Sequence, residues 1–196
     1  MSSKPAKLKI LLVDEDADRA LTMRKALSSA HCTVVGAICT ASDILDAATR
    51  TQPDIVIIET DSPLRDAVES LAFTRSAHAR PVVIFTDDTG NAGMRAAMDA
   101  GISAYVVDGL SPQRLLPVLE VARERFVTEQ ALRTELAATR QALKDRKLIE
   151  RAKGVLMRAR GLEEEAAFGT LRKFAMDRGV SLAEASRRVM DLDTLI

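Results

Sequence analysis

Four consecutive aliphatic residues, Ile55-Val56-Ile57-Ile58, constrain the fold of this 196-residue chain more than any other feature. A strand that is apolar at every position, and not at every second one, has no face to turn to water. Both faces must therefore be covered, as in a parallel sheet flanked by helices. This run lies in the third of five strand candidates, Leu8–Val13, Thr33–Ile38, Asp54–Glu59, Pro81–Thr86 and Ser103–Val107. Amphipathic segments such as Ala20-Leu21-Arg24-Lys25-Leu27 and Ile44-Leu45-Ala48 separate them. Five βα units in about 120 residues predict an α/β doubly wound parallel five-stranded sheet, whose functional groups gather at the carboxyl ends of the strands.

Those ends carry acids. Asp14 and Glu15 close the first strand, with Asp16 next. Glu59 closes the third, followed by Asp61 and Pro63. Thr86 closes the fourth, ahead of Asp87 and Asp88, and Asp108 follows the fifth. Carboxylates at one sheet edge either hold a hard cation such as Mg²⁺ or raise one another's pKa. Asp14, Glu15 and Glu59 are expected to share a pocket and are the candidate ligands for a possible Mg²⁺. Asp87 and Asp88 read as solvated loop acids or caps. The cluster offers no clear nucleophile, no histidine base and no phosphate-binding Lys or Arg. The expectation is a protein without enzymatic turnover that requires no cofactor.

Composition excludes several other classes. Trp is absent and Tyr105 is the single tyrosine, which argues against aromatic ligand cages. No apolar run approaches the roughly 20 residues that span a bilayer. Met1 to Lys7 lacks the apolar core of a signal peptide. Cys32 and Cys39 have no metal or redox spacing, and the reading is reduced packing residues in a cytoplasmic protein. The zero net charge conceals an asymmetry. Residues 1–110 hold eleven basic and fifteen acidic side chains, whereas residues 140–196 hold thirteen basic and nine acidic. An acidic first half and a basic last third point to two tasks, the second directed at a polyanion or merely at solvent.

Ser111-Pro112 reads as a helix start. No Gly or Pro follows between Val118 and Lys153. Leu115, Leu119, Ala122 and Phe126 keep one heptad-like phase, and Leu132, Leu136, Thr139 and Leu143 keep another. This pattern fits a coiled coil that pairs two chains or one long helix packed on its own domain. Three short helices are expected beyond it. The first ends near Gly161 and carries an apolar face of Leu148, Ala152, Val155 and Ala159, broadened by Ile149 and Leu156. The second runs from Glu163 to Gly179 with Ala167, Leu171, Phe174 and Ala175. The third opens on the capping box Ser181-Leu-Ala-Glu184 and carries Leu182, Ala185, Val189 and Leu192. Gly154 stands inside the first helix at a cost of about 1 kcal/mol against alanine. Close approach by another helix or by a phosphate, or else simple tolerance, accounts for it.

Two resemblances organise these observations. Ile10-Leu-Leu-Val-Asp-Glu-Asp16, Pro53-Asp-Ile-Val-Ile-Ile-Glu59, Val82-Val-Ile-Phe-Thr86 and Gly101-Ile-Ser-Ala-Tyr105 resemble a response-regulator receiver domain over residues 8–122. The resemblance implies a flavodoxin-like fold with a degenerate phosphoacceptor pocket. Asp14 and Glu15 match the acid pair, Thr86 the hydroxyl and Tyr105 the switch aromatic. Two positions depart from the pattern: Glu59 replaces the phosphoacceptor aspartate and Asp108 replaces the lysine. The longer Glu59 side chain places its carboxylate nearer the phosphoryl position. The expectation is a pseudo-receiver controlled by a partner protein and not by aspartyl phosphorylation.

Ile149-Glu-Arg-Ala-Lys-Gly-Val-Leu-Met157 and Glu164-Glu-Ala-Ala-Phe-Gly-Thr-Leu-Arg-Lys-Phe-Ala-Met176 resemble an ANTAR domain over residues 144–192. This resemblance implies binding to paired hairpins in a nascent leader RNA, which prevents transcription termination. Lys153 and Arg172 match the family's basic positions, and Arg158, Lys173 and Arg178 are expected phosphate contacts. Phe168 and Phe174 sit at core spacing, and Ala152, Gly154, Met157, Ala175 and Met176 are expected to shape the fold. The combination is similar to NasT-type regulators of nitrate assimilation, which implies a nitrate-sensing inhibitory partner (NasS-like) and a homodimer through the coiled coil. A phosphorylation-controlled regulator or a protein–protein adaptor without RNA binding remains open. The expected layout is a receiver-like domain at 1–122, a coiled-coil connector at 123–143, and an RNA-binding helical domain at 144–196.

Overall fold

A computed structural model describes residues 7–107 and 112–193; Asp108 and Ser111 lie outside the described residues. Five strands, β1 (Lys9–Val13), β2 (Thr33–Ile38), β3 (Ile55–Glu59), β4 (Val82–Thr86) and β5 (Ala104–Val107), form one parallel sheet in the order β2-β1-β3-β4-β5. The helices before the last strand are α1 (Ala17–Ser29), α2 (Ile44–Thr51), α3 (Pro63–Glu69), α4 (Leu71–Thr74) and α5 (Asn91–Ala100). They are followed by α6 (Pro112–Arg160), α7 (Glu164–Arg178) and α8 (Leu182–Asp193).

The pleat explains why the central strands are apolar throughout. Leu11, Val13, Val56, Ile58, Val82 and Ile84 point to one face, where Ile44, Ala67, Phe73 and Ala97 cover them. Their neighbours Ile10, Leu12, Ile55, Ile57, Val83 and Phe85 point to the other, under Met23 and Leu27 of α1 and Leu115, Leu119 and Ala122 of α6. Each fully buried Ile, Leu or Val contributes about 1.5–3 kcal/mol relative to exposure, and helix cover on both faces recovers that contribution in every central strand. The chain runs outward from β1 to β2 and then returns to the far side of β1 with β3. This reversal of direction opens a crevice between the segments that follow β1 and β3.

The chain divides into two compact units between Gln130 and Ala131. In the second, the expected first short helix is instead the closing part of α6, which is continuous from Pro112 to Arg160. Nothing between Val118 and Lys153 removes a backbone N–H or favours a left-handed turn, so each added residue extends the ladder. Ala152 and Leu156 pack with Ala167, Leu171, Ala175 and Ala185, and Ile149, Met157 and Phe174 lie against them. The apolar arc is therefore centred on Ile149, Ala152 and Leu156. Ala159 is exposed, contrary to the expectation from its spacing. Gly161 and Gly179 end α6 and α7 with φ of 62° each, a conformation that costs side-chain-bearing residues. At α8 the Ser181 Oγ accepts the Glu184 N–H at 3.1 Å. The Glu184 carboxylate does not complete the capping box among the described residues, because it pairs with Arg187 and Arg188 instead. No helix among the described residues is long and apolar enough to cross a membrane.

Candidate functional site

The crevice is built from the loops after β1 and β3. Asp14 follows β1, and its side chain is fully excluded from solvent. Asp16 caps α1 by accepting the N–H groups of Asp18 and Arg19 at 2.8 and 3.0 Å, and these bonds lower its pKa. The cap sets the first helical turn so that Arg19 reaches back over the strand end. Arg19 Nη2 and Nε donate to Asp14 Oδ1 at 2.9 and 3.1 Å, and Nη1 donates to both Asp61 oxygens at 2.9 and 3.0 Å. Glu15 turns the other way, its carboxylate 2.7 Å from Arg65 Nη2 of α3.

Glu59 ends β3 partly buried, and its Oε2 has no hydrogen-bond partner. Burial foremost, and then the Asp14 charge, push its pKa up to about 7; Arg19 opposes the rise, and Asp87 and Asp61 add to it. Arg19, Glu59, Thr60, Asp61, Thr86 and Asp87 line a cleft of about 40 Å³. Thr86 is buried, and its Oγ1 accepts the Asp88 N–H at 3.1 Å. The Tyr105 hydroxyl donates to the Asp88 carbonyl at 3.3 Å. Tyr105 and α3 approach α5 so closely that a Cβ on Gly93 would stand 2.9 Å from Pro63 Cγ and 3.1 Å from Tyr105 Oη. Glycine at position 93 permits that packing.

The crevice thus unites Glu59 and Thr86, with Asp14 behind them, but not Glu15. The expected grouping of Asp14, Glu15 and Glu59 around a Mg²⁺ does not fit this arrangement. Asp14 is committed to Arg19 and Glu15 to Arg65, and among the described residues no three acids, histidines or cysteines are grouped to hold a metal. The cluster also holds an arginine that the sequence reading did not place there, Arg19, and it is bound to Asp14 and Asp61. The signal was present in the sequence, since Arg19 stands five residues after Asp14, in the first turn of the helix that Asp16 caps. Cys32 is buried as expected, whereas Cys39 is exposed and is not a packing residue; both are free thiols.

The second unit carries the cations. Arg158, Arg172, Lys173 and Arg178 are exposed, and among the described residues none of them is in an ion pair. The Arg178 guanidinium lies 5.5 Å from the Phe174 ring centre, a cation–π distance. Lys153 differs from these four. It is 8% exposed, with Nζ 2.6 Å from Glu164 and 2.9 Å from Glu150. Phe168, expected at core spacing, is 39% exposed, and Met176, expected to shape the fold, is 71% exposed. Beyond its own helix backbone, Gly154 would place a Cβ near only the Arg158 guanidinium, at 3.6 Å. No neighbouring backbone approaches it.

A doubly wound parallel domain with an acidic crevice at its β1/β3 switch point, continuing through one helix into a basic helical module, defines a receiver-type regulator with an output domain. The model of the response regulator receiver domain matches residues 10–120, and that of the ANTAR domain matches residues 137–190. The chain belongs to the response regulators that carry an ANTAR domain. It is 30% identical over 183 residues to the transcriptional regulatory protein PdtaR of Mycobacterium tuberculosis, which covers 93% of this chain and 89% of that one. It is 40% identical over 83 residues to a nitrate regulatory protein of Klebsiella oxytoca, 42% of this chain and a 20% share of that protein's length. In fold, it resembles the signal receiver domain of the response regulator NarL from Mycobacterium tuberculosis. That likeness has a TM-score of 0.53 at 21% identity and covers 60% of this chain and 98% of that domain.

Proposed function

We propose that the protein is a transcription antiterminator that binds paired hairpins in nascent leader RNA through its ANTAR domain. The observation that carries this reading is the group of exposed, unpaired cations Arg158, Arg172, Lys173 and Arg178 on the unit that the ANTAR model matches. Free cations on a small rigid unit supply the counterion-release component of affinity for a phosphate backbone. Arg172 and Lys173 share the exposed side of α7. Lys153, also assigned to RNA from the sequence, acts in this reading by holding α6 to α7.

The receiver-like unit serves as the regulatory arm, answering to a protein partner and not to aspartyl phosphate. Glu59 in place of the acceptor aspartate supports this. The nitrate regulatory relative supports nitrate or nitrite assimilation genes as the target, and in this reading the partner is a nitrate-sensing inhibitory protein. Leu132, Leu136 and Leu143 are 59%, 50% and 54% exposed on α6. Together with Thr139 they form the seam through which two chains pair, each presenting one hairpin-binding module.

The test is a gel shift of the full-length protein with a tandem-hairpin leader RNA and a matched duplex DNA across a salt series. Selective, salt-sensitive RNA binding is expected. Equal affinity for both probes, or none for either, would overturn the reading.

A further inference from the structure

Two arginines bridge the segments that follow β1 and β3. Arg19, on α1, reaches the Asp61 carboxylate beyond β3 at 2.9 Å, and Arg65, on α3, reaches the Glu15 carboxylate beyond β1 at 2.7 Å. Arg19 does more than bridge. Its Nε and Nη2 hold the buried Asp14 carboxylate, its Nη1 spans both Asp61 oxygens, and its Nη2 points at the Glu59 carbonyl oxygen at 3.5 Å. One guanidinium therefore meets a strand-end carboxylate, a loop carboxylate and the backbone carbonyl of the last residue of β3. A hard divalent cation selects oxygens of the same kind.

We propose that the Arg19 guanidinium is the resident cation of this receiver domain, standing where a divalent metal would be held, with Arg65 neutralising the remaining acid of the pair. Three physical reasons carry this. The guanidinium is permanently protonated, and its planar fork offers five donors, so a single group satisfies all three oxygen sites. Asp14, with its side chain wholly buried, has Arg19 as its ion-pair partner, and Arg19 at 26% exposure sits deep enough to be weakly screened. Finally, a Mg²⁺ ion sheds water reluctantly and demands near-octahedral ligands. To enter, it would have to break the fork on Asp61 and the paired bonds to Asp14 while repelled by the charge it displaces. The crevice is thus independent of divalent cations, whether or not the second unit binds RNA.

The experiment is a titration of the full-length protein with Mn²⁺, read from the electron paramagnetic resonance signal of the free ion. The wild type is expected to show no saturable binding in the millimolar range. Arg19→Met keeps an unbranched apolar stem but removes the guanidinium and its charge, leaving Asp14 and Asp61 facing each other across the vacated space. It is expected to bind Mn²⁺ at least about tenfold more tightly than the wild type, as freed carboxylates do for a hard cation. Arg19→Lys, which restores the charge, is expected to exclude the ion again. Saturable binding by the wild type, or a folded Arg19→Met variant no better than wild type, overturns the proposal. Should the methionine variant fail to fold, the wild-type Arg19 Nε–H resonance decides. It is expected to be hydrogen-bonded and unchanged by added Mg²⁺, and its displacement by Mg²⁺ overturns the proposal.

Discussion

Lys153 Nζ lies 2.6 Å from the Glu164 carboxylate, an ion pair that ties the last turns of α6 to the first turn of α7 across the Gly161 bend. Glu150, one turn back on α6, completes the cradle at 2.9 Å. The hydrogen bond to Glu164 first, and that to Glu150 second, raise the lysine pKa, and Lys153 lowers that of Glu164. The expected result of Lys153→Ala is a lower melting temperature for the second unit, with RNA binding abolished as a consequence. Glu164→Gln should have a smaller effect, because Glu150 remains. Calorimetry of the full chain reads this. If Lys153→Ala melts with the wild type, the lysine is not a structural tie and its role is direct contact with RNA.

Arg172 and Arg178 should behave in the opposite way. Both are exposed and outside the apolar cluster of the second unit. Arg172→Ala and Arg178→Ala are expected to melt as the wild type does while weakening RNA binding. Removing one cation from the phosphate backbone should also shallow the log–log salt dependence by roughly 0.7 to 0.9. Unchanged slopes in both variants would place the RNA on another face.

Glu59 makes stability depend on pH in a direction unusual for a carboxylate. Its folded pKa is raised from the ordinary 4.5 to about 7, so the native state holds the proton more tightly than the unfolded chain does. The resulting stabilisation is complete below about pH 4.5 and is lost as pH rises through 7. Glu59→Gln cannot ionise and should gain on the wild type across that window. After discounting for partial exposure, the gain by pH 8 is about 1–2 kcal/mol. Denaturant unfolding at pH 5 and pH 8 measures it, and a gain equal at both pH values would sink the account.

Leu132 and Leu136 stand on the proposed seam, one helical turn apart. Leu132→Asp combined with Leu136→Asp would place two charges where two helices meet. The dimer dissociation constant is expected to rise by at least about tenfold, since heptad seams tolerate buried charge poorly. Sedimentation equilibrium should show a monomer at concentrations where the wild type is paired. A wild type that sediments as a monomer at high concentration would remove the seam from the proposal.

Much of the first unit was legible in its residues. The strand predictions Leu8–Val13, Thr33–Ile38, Asp54–Glu59, Pro81–Thr86 and Ser103–Val107 lie within one residue of the observed β1 to β5. Runs such as Ile55-Val56-Ile57-Ile58 have a single low-energy environment, a covered parallel sheet, and that is a property of local sequence. The glycine caps at positions 161 and 179 and the Ser181 cap are likewise local. The continuous α6 was implied by the absence of breakers, although its last part read as a separate helix, because boundaries between adjoining helices leave little trace in periodicity.

The site was only half legible. Which residues are acidic, and which strand ends they follow, is written in the chain. Which cation answers each acid is not. Arg19 joins Asp61 across 42 residues and Arg65 joins Glu15 across 50, and neither spacing has a periodicity that a sequence pattern records. Lys153 and Arg172 read alike as basic residues on helical faces. Only the packing of α7 against α6 buries the first between two glutamates and leaves the second in water. A side chain's identity determines the charge it carries, but its partner and its hydration are properties of position in space. The sequence therefore determined the sheet, its order of strands and helices and the acids at its edge. The tertiary structure alone decided which charges are spent inside the molecule and which remain free to meet a polyanion.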